Sequence, residues 1–190
     1  MKTLKILIYS VLLCCVTLCL SCVKDTDFNQ TENILPTPVF ESDLVFSTLE
    51  ALNFIDDTTQ QEVEILSDTT RLEFINSDFF VNQLAQTEIT FRFTNSLNRD
   101  FIVYFEFVTD NNELRYLAQV DVPAGQTESP IIAQSSFLIE EPELSSFKEA
   151  TKLIYKITLP ATATATANPI NPSTLGALKL ESKATFYFEL

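Results

Sequence analysis

The C-terminal stretch of the chain constrains the fold more than any other feature. Leu178, Leu180, Ser182, Ala184, Phe186, Phe188 and Leu190 fall on one side of an extended backbone. Lys179, Glu181, Lys183, Thr185, Tyr187 and Glu189 fall on the other. Strict alternation is the signature of a strand with one face in a core and one in water. A strand of that length cannot bury its apolar face alone. It needs neighbours for its backbone hydrogen bonds and a second layer for its side chains.

Those neighbours are readable upstream. Ile89, Phe91 and Phe93 alternate with Thr90, Arg92 and Thr94, a half-buried strand. Residues 101–108, FIVYFEFV, are apolar on both faces and predict a central strand covered on each side. Asp110-Asn111-Asn112 supplies turn chemistry, after which Leu114 to Val122 alternates again and Ala124-Gly125 turns. Thr151 to Leu159 is a further strand with Leu153, Tyr155, Ile157 and Leu159 on one face, preceded by a short helix over 142–150. Leu44–Ile55 and Val63–Ile75 hold strand-like pieces with weaker alternation and room for short helices. About six to eight short strands separated by turns predict an all-β fold: an antiparallel β-sandwich, immunoglobulin-like in architecture, with one or two short helices. A small barrel is the rival. With only two glycines, Gly125 and Gly176, tight turns must draw on Asn98, Asn111 or Asn112 for positive φ.

The N-terminus has a different character. Lys2 and Lys5 precede an apolar run from Ile6 to Leu20, and small or polar residues follow. That order predicts a secretion signal over residues 1–21. The run is shorter than the 20 or so apolar residues of a membrane span. Leu18-Cys19-Leu20-Ser21-Cys22 resembles a lipobox, the processing site of bacterial lipoproteins. The resemblance implies that diacylglycerol joins Cys22 and that cleavage falls just before it. Each buried methylene contributes about 0.8 kcal/mol, and one acyl chain gives only marginal binding, so the two chains of a diacylglyceryl group suit a stable anchor. Lys24-Asp25-Thr26-Asp27 resembles the surface-export signal of Bacteroidota lipoproteins, with Lys24, Asp25 and Asp27 as its charged residues; the plain alternative is a solvated linker. The resemblance implies an outer-membrane, lipid-anchored location with display on the cell surface.

The expected organisation is therefore a signal over 1–21, a lipidated cysteine and flexible tether over 22–42, and one β-sandwich domain over 43–190. A tether of this length averages roughly 25 Å and reaches about 66 Å when fully extended. Within the domain, residues 160–176 hold an Ala-Thr run followed by Pro169 and Pro172, which predicts a long surface loop with nothing to bury.

Composition removes whole classes of function. There are 12 basic and 26 acidic residues; without Lys2 and Lys5 the remainder carries 10 against 26, a formal −16. Nucleic acid is excluded as a partner, because phosphate binding needs a basic patch. The absence of histidine removes Ser-His and Cys-His nucleophiles and imidazole metal sites. The four cysteines end at Cys22, so the body has no thiol or disulfide chemistry. Two glycines cannot build a phosphate loop. Carboxylate pairs remain, but none sits in a motif, so no catalytic residue, no cofactor and no metal are assigned and the protein is expected not to be an enzyme. Asp110, Asn112 and Glu113 are weighed as an oxygen-ligand calcium site against a plain turn. Phe79, Phe80, Tyr104 and Tyr116 are weighed as a sugar platform against core packing.

Two functional expectations follow. One is a non-catalytic outer-membrane lipoprotein acting as a protein-interaction or structural module of an envelope complex, marked by an exposed apolar patch. The other is a glycan-binding surface lipoprotein, marked by exposed Tyr or Phe rings beside carboxylates or amides.

Overall fold

The structure, a computed structural model, describes residues 37–75, 77–160 and 169–189. Residues Pro36–Leu190 form one compact unit. Its strands are β1 (Val39–Ser42), β2 (Phe46–Glu50), β3 (Ile65–Arg71), β4 (Leu84–Asn95), β5 (Phe101–Val108), β6 (Leu114–Val122), β7 (Ile131–Ile139), β8 (Lys152–Thr158) and β9 (Ala177–Phe188). A 3-10 turn spans Ala51–Phe54, and two short helices are α1 (Asp78–Gln83) and α2 (Glu143–Phe147).

All ladders are antiparallel, and they make two sheets. The first runs β1-β9-β4-β7, with β2 sharing the same side of β9 as β1 further along; the second runs β3-β8-β5-β6. The order has a simple origin. β5 and β6 form the hairpin at the tip of a ribbon, and β4·β7, β3·β8 and β2·β9 continue it. Rolling that ribbon brings β4 against β9 and β5 against β8, which closes each sheet. This is the connectivity of a jelly roll. The expected all-β antiparallel sandwich is what the chain forms. The expectation holds at the level of two packed antiparallel sheets; the strand order within them is that of the rolled ribbon.

The core lies between the sheets and is rich in phenylalanine. Phe91 and Phe93 of β4, Phe105 and Phe107 of β5 and Phe186 and Phe188 of β9 are all buried. Phe91 stacks on Phe105 across the sheets, with centroids 3.5 Å apart and planes within 10°. In β9 the core face is the one the alternation marked, from Leu178 to Phe188. Ser182 is its only polar member among the described residues, and it is used. Its hydroxyl accepts from the amides of Leu44 (3.1 Å) and Val45 (2.7 Å) and donates to the Val45 carbonyl (2.9 Å). It thereby satisfies the backbone where the chain steps from β1 to β2.

Three expectations need correction. Residues 39–42, assigned to the tether, form β1 paired with β9, so they belong to the body rather than to the tether. The strand is only four residues long and flanked by Pro38, too short for periodicity to show. β5 is central, as expected, but only one of its faces is covered: Ile102, Tyr104 and Glu106 lie partly open on the outer side. The 160–176 loop also does bury a residue. Ile170 is 3% exposed and belongs to the core.

Both glycines meet the β4–β5 connection. A Cβ on Gly125 would lie 1.9 Å from the Asn95 carbonyl oxygen. One on Gly176, where φ is +119°, would lie 2.5 Å from that of Ser96. No other residue fits either place without moving backbone. Of the asparagines put forward for positive φ, Asn112 adopts it, at 62°.

Candidate interaction surface

The most apolar concavity opens where the chain enters the body. β1 pairs with β9 in a register that sets Phe40 opposite Phe186 on the core side and Val39 opposite Tyr187 on the outer side. Pro38 is fixed there because its carbonyl accepts from the Phe188 amide at 3.1 Å. Opposite β1, Ser77 organises the turn into α1. Its hydroxyl donates to the Phe74 carbonyl (2.9 Å) and accepts from the Phe80 amide (3.4 Å), capping the helix start. The cap points Phe79 and Phe80 at the end of β9. The Glu189 amide donates to the Gln83 carbonyl at 2.9 Å and holds the far end of α1.

The result is a cluster of six rings. Phe80 lies 5.1 Å from Phe186 and 4.9 Å from Phe188, both edge-on. Phe74 lies 5.6 Å from Phe186, Phe40 6.0 Å from Phe186, and Phe79 4.9 Å from Phe188. These separations suit aromatic pairing. Phe80, Phe186 and Phe188 are buried, whereas Phe40 remains 46% and Phe79 49% exposed. Between them lies an apolar groove of about 220 Å³ walled by Pro38, Val39, Phe40, Phe74, Phe79, Phe80 and Phe188. Covering the open half of one such ring removes on the order of 100 Å² from water, worth about 2.5 kcal/mol at 25 cal/mol per Å².

The residues weighed as a sugar platform are not brought together. Phe79 and Phe80 belong to this cluster. Tyr116 packs beside Phe107 and Phe147 near α2, where burial, with a smaller push from the Glu143 charge, raises its pKa. Tyr104 stands alone on the outer side of β5, between Lys156 and Gln119 in the ladder. The oxygen cluster at the β5–β6 turn is a plain turn whose cation position is taken. The Lys152 ammonium donates to the Asp110 carbonyl (3.0 Å) and the Asn112 side-chain oxygen (2.8 Å), while Asp110 Oδ1 accepts from the Thr151 hydroxyl. Glu113 turns away to Arg115. Among the described residues, no group of three or more His, Cys, Asp or Glu gathers in a way that could hold a metal ion. Cys22, Lys24, Asp25 and Asp27 lie outside the described residues, as does the expected signal over 1–21.

One buried polar site has no counterpart in the sequence reading. Arg99 donates through Nε and Nη2 to the two carboxylate oxygens of Glu62 at 3.0 and 2.9 Å, with side chains 2% and 15% exposed. Nη2 also donates to the Pro160 carbonyl (2.6 Å), and Glu62 Oε1 accepts from the Ile170 amide (2.9 Å). The pair thus ties together Pro160 and Ile170, which lie on either side of the Ala-Thr run in the sequence. Asn95 supports it by donating to the Arg99 and Pro123 carbonyls, each at 2.8 Å.

No family model matches this chain, and no curated protein does. Among solved structures it is similar to the VP2 subviral particle of infectious bursal disease virus, at 6% identity and a TM-score of 0.45, over 80% of this chain and 33% of that one. It is also similar to the enzymatically active domain of tailspike protein 4 of bacteriophage CBA120 (9% identity, TM-score 0.36, 83% and 20% covered). A third is the Arthrobacter globiformis T6 isomalto-dextranase complexed with panose (8%, 0.34, 77% and 23%). The chain spans about a third or less of the length of each.

Proposed function

We propose that the protein is a non-catalytic lipoprotein, held to the outer membrane by acyl chains on Cys22 and exposed at the cell surface, whose body docks an envelope protein through the aromatic groove. The carrying observation is that groove: two half-exposed phenylalanines beside Pro38, where the tether reaches the body. An acidic chain, 26 acids against 12 bases, gains little from anionic lipid heads, so a partner would be bound by apolar contact. An apolar side chain of an envelope protein, seated between Phe40 and Phe79, fits a wall with no charged residue in it.

The test is a photo-crosslinker at Val39, which is 53% exposed, in the lipidated protein in native envelopes. One adduct of defined mass is expected, and Phe79→Glu should abolish it while leaving the circular dichroism unchanged. An adduct that survives Phe79→Glu, or no adduct at all, would refute the groove as the docking site.

A second reading, a glycan-binding surface lipoprotein, is favoured by Tyr104, whose partly open ring lies between Gln119 and Lys156. Binding to envelope polysaccharide that Tyr104→Ala removes would support it over the first.

A further inference from the structure

Each sheet of an open sandwich leaves two edges, and exposed edges are ordinarily guarded by charge. Three of the four here follow that rule. The β1/β2 edge carries Glu41 and Glu50, β3 carries Asp68 and Arg71, and β6 carries Arg115 and Asp121. β7 does not. Its nine residues, IIAQSSFLI, include no charge and no proline, in a chain where 20% of residues are charged. Among the described residues its only ladder partner is β4, so the backbone groups on its far side belong to no ladder. Ile132 is 57% and Leu138 54% exposed there, and Ile131 is exposed as well.

The strand is also self-complementary. Turned end for end about Ser135 and laid antiparallel on a second copy, it sets Ile132 opposite Leu138 and Gln134 opposite Ser136 on the outer face. On the core side, Ile131 meets Ile139 and small Ala133 meets large Phe137. Every position finds a match in polarity, and no like charges face each other. The register to β4 fixes which residues share a face: Ser135 and Phe137 lie opposite Phe91 and Ile89 of the core, and Ile132 and Gln134 opposite Thr94 and Arg92 on the outside. A nine-residue ladder would be about 30 Å long.

We infer that β7 is a homodimerisation edge: two copies join β7 to β7 in antiparallel register about Ser135, fusing their first sheets into one. The closed two-fold pairing uses up the edge on both copies, so association stops at two. This interface is separate from the aromatic groove and does not depend on the anchor.

The test uses residues 23–190, which contain the whole compact unit Pro36–Leu190 and no cysteine. Sedimentation equilibrium should show a reversible dimer. Ser135→Cys places one thiol from each copy at the two-fold, where opposed Cβ atoms are about 5 Å apart, and mild oxidation should give a covalent dimer. Thr69→Cys on the guarded β3 edge should form the same reversible dimer but give no covalent one. Ile132→Lys, at an exposed position, should leave the circular dichroism intact and weaken the dimer by about tenfold, since two symmetric cross-strand pairs are lost. A monomer at every concentration would overturn the inference. So would a dimer indifferent to Ile132→Lys, equal crosslinking through Thr69→Cys, or open-ended polymers.

Discussion

Replacing Glu62 with Gln changes almost nothing in shape and removes one buried charge. In the native body the carboxylate takes two hydrogen bonds from Arg99, at 3.0 and 2.9 Å, and a third from the Ile170 amide at 2.9 Å. A carboxamide retains one acceptor oxygen and turns an NH₂ group toward one of the Arg99 donors. The guanidinium, with its side chain 2% exposed, then has no counter-charge. Breaking a buried pair from one side costs about 3–5 kcal/mol. Against a domain stability of about 5–15 kcal/mol, that is about a fifth or more of the total. With a urea dependence near 2 kcal/mol per M, the unfolding midpoint should fall by about 2 M. Urea titration followed by circular dichroism and tyrosine emission reads this directly, since the chain has no tryptophan. The double variant Glu62→Leu with Arg99→Met removes both charges, and should be less destabilised than the two single losses added together. The surface pair Arg92–Glu181, 45% and 33% exposed, is the control, and its removal should cost under about 1 kcal/mol. If Glu62→Gln costs no more than that control, the pair is solvent-screened and the reasoning fails.

Other changes follow from the same structure. Ser182→Ala strands the Leu44 and Val45 amides beside β9 and should cost about 1–3 kcal/mol by urea titration. Gly125→Ala drives a methyl into the Asn95 carbonyl and should cost about 3 kcal/mol, seen as a lowered melting temperature. Tyr155 and Tyr116 have raised pKa values, chiefly through burial, with nearby Asp68 and Glu143 adding to it. The folded state therefore holds those protons more tightly than the unfolded chain. The associated stability is fully present below the ordinary tyrosine pKa of about 10 and is lost as pH rises through the folded values. A near-ultraviolet titration of the body should show Tyr116 and Tyr155 ionising at higher pH in the folded protein than in urea.

What the sequence reveals here depends on the range of each interaction. β9 and β4 are readable because strand pleating repeats every two residues, whatever the partner. The rolled order of the strands is not, since it is set by which edges meet after the ribbon folds. β5 reads as covered on both sides because Ile102 and Tyr104 are apolar, yet their cover is only the side chains of β6 and β8 alongside. Phe79 and Phe80 do meet Phe186 and Phe188, but a ring in sequence carries no mark of being half out of the core. The Ser77-Asp78 cap ahead of α1 is a local signal that could have placed that turn. The Arg99–Glu62 pair leaves no local trace, because its members lie 37 positions apart and neither sits in a motif. Ile170, one apolar residue between Pro169 and Asn171, is outweighed in composition by the Ala-Thr run before it.

Lipid on Cys22 is the claim on which location and partner class both rest, and the intact mass of the protein extracted from envelopes addresses it most directly. A chain beginning at Cys22 and heavier than its residues by a diacylglyceryl group, with or without a further amide-linked acyl chain, is the expected result. A mature N-terminus of unmodified mass, or residues 1–21 still attached, would contradict it.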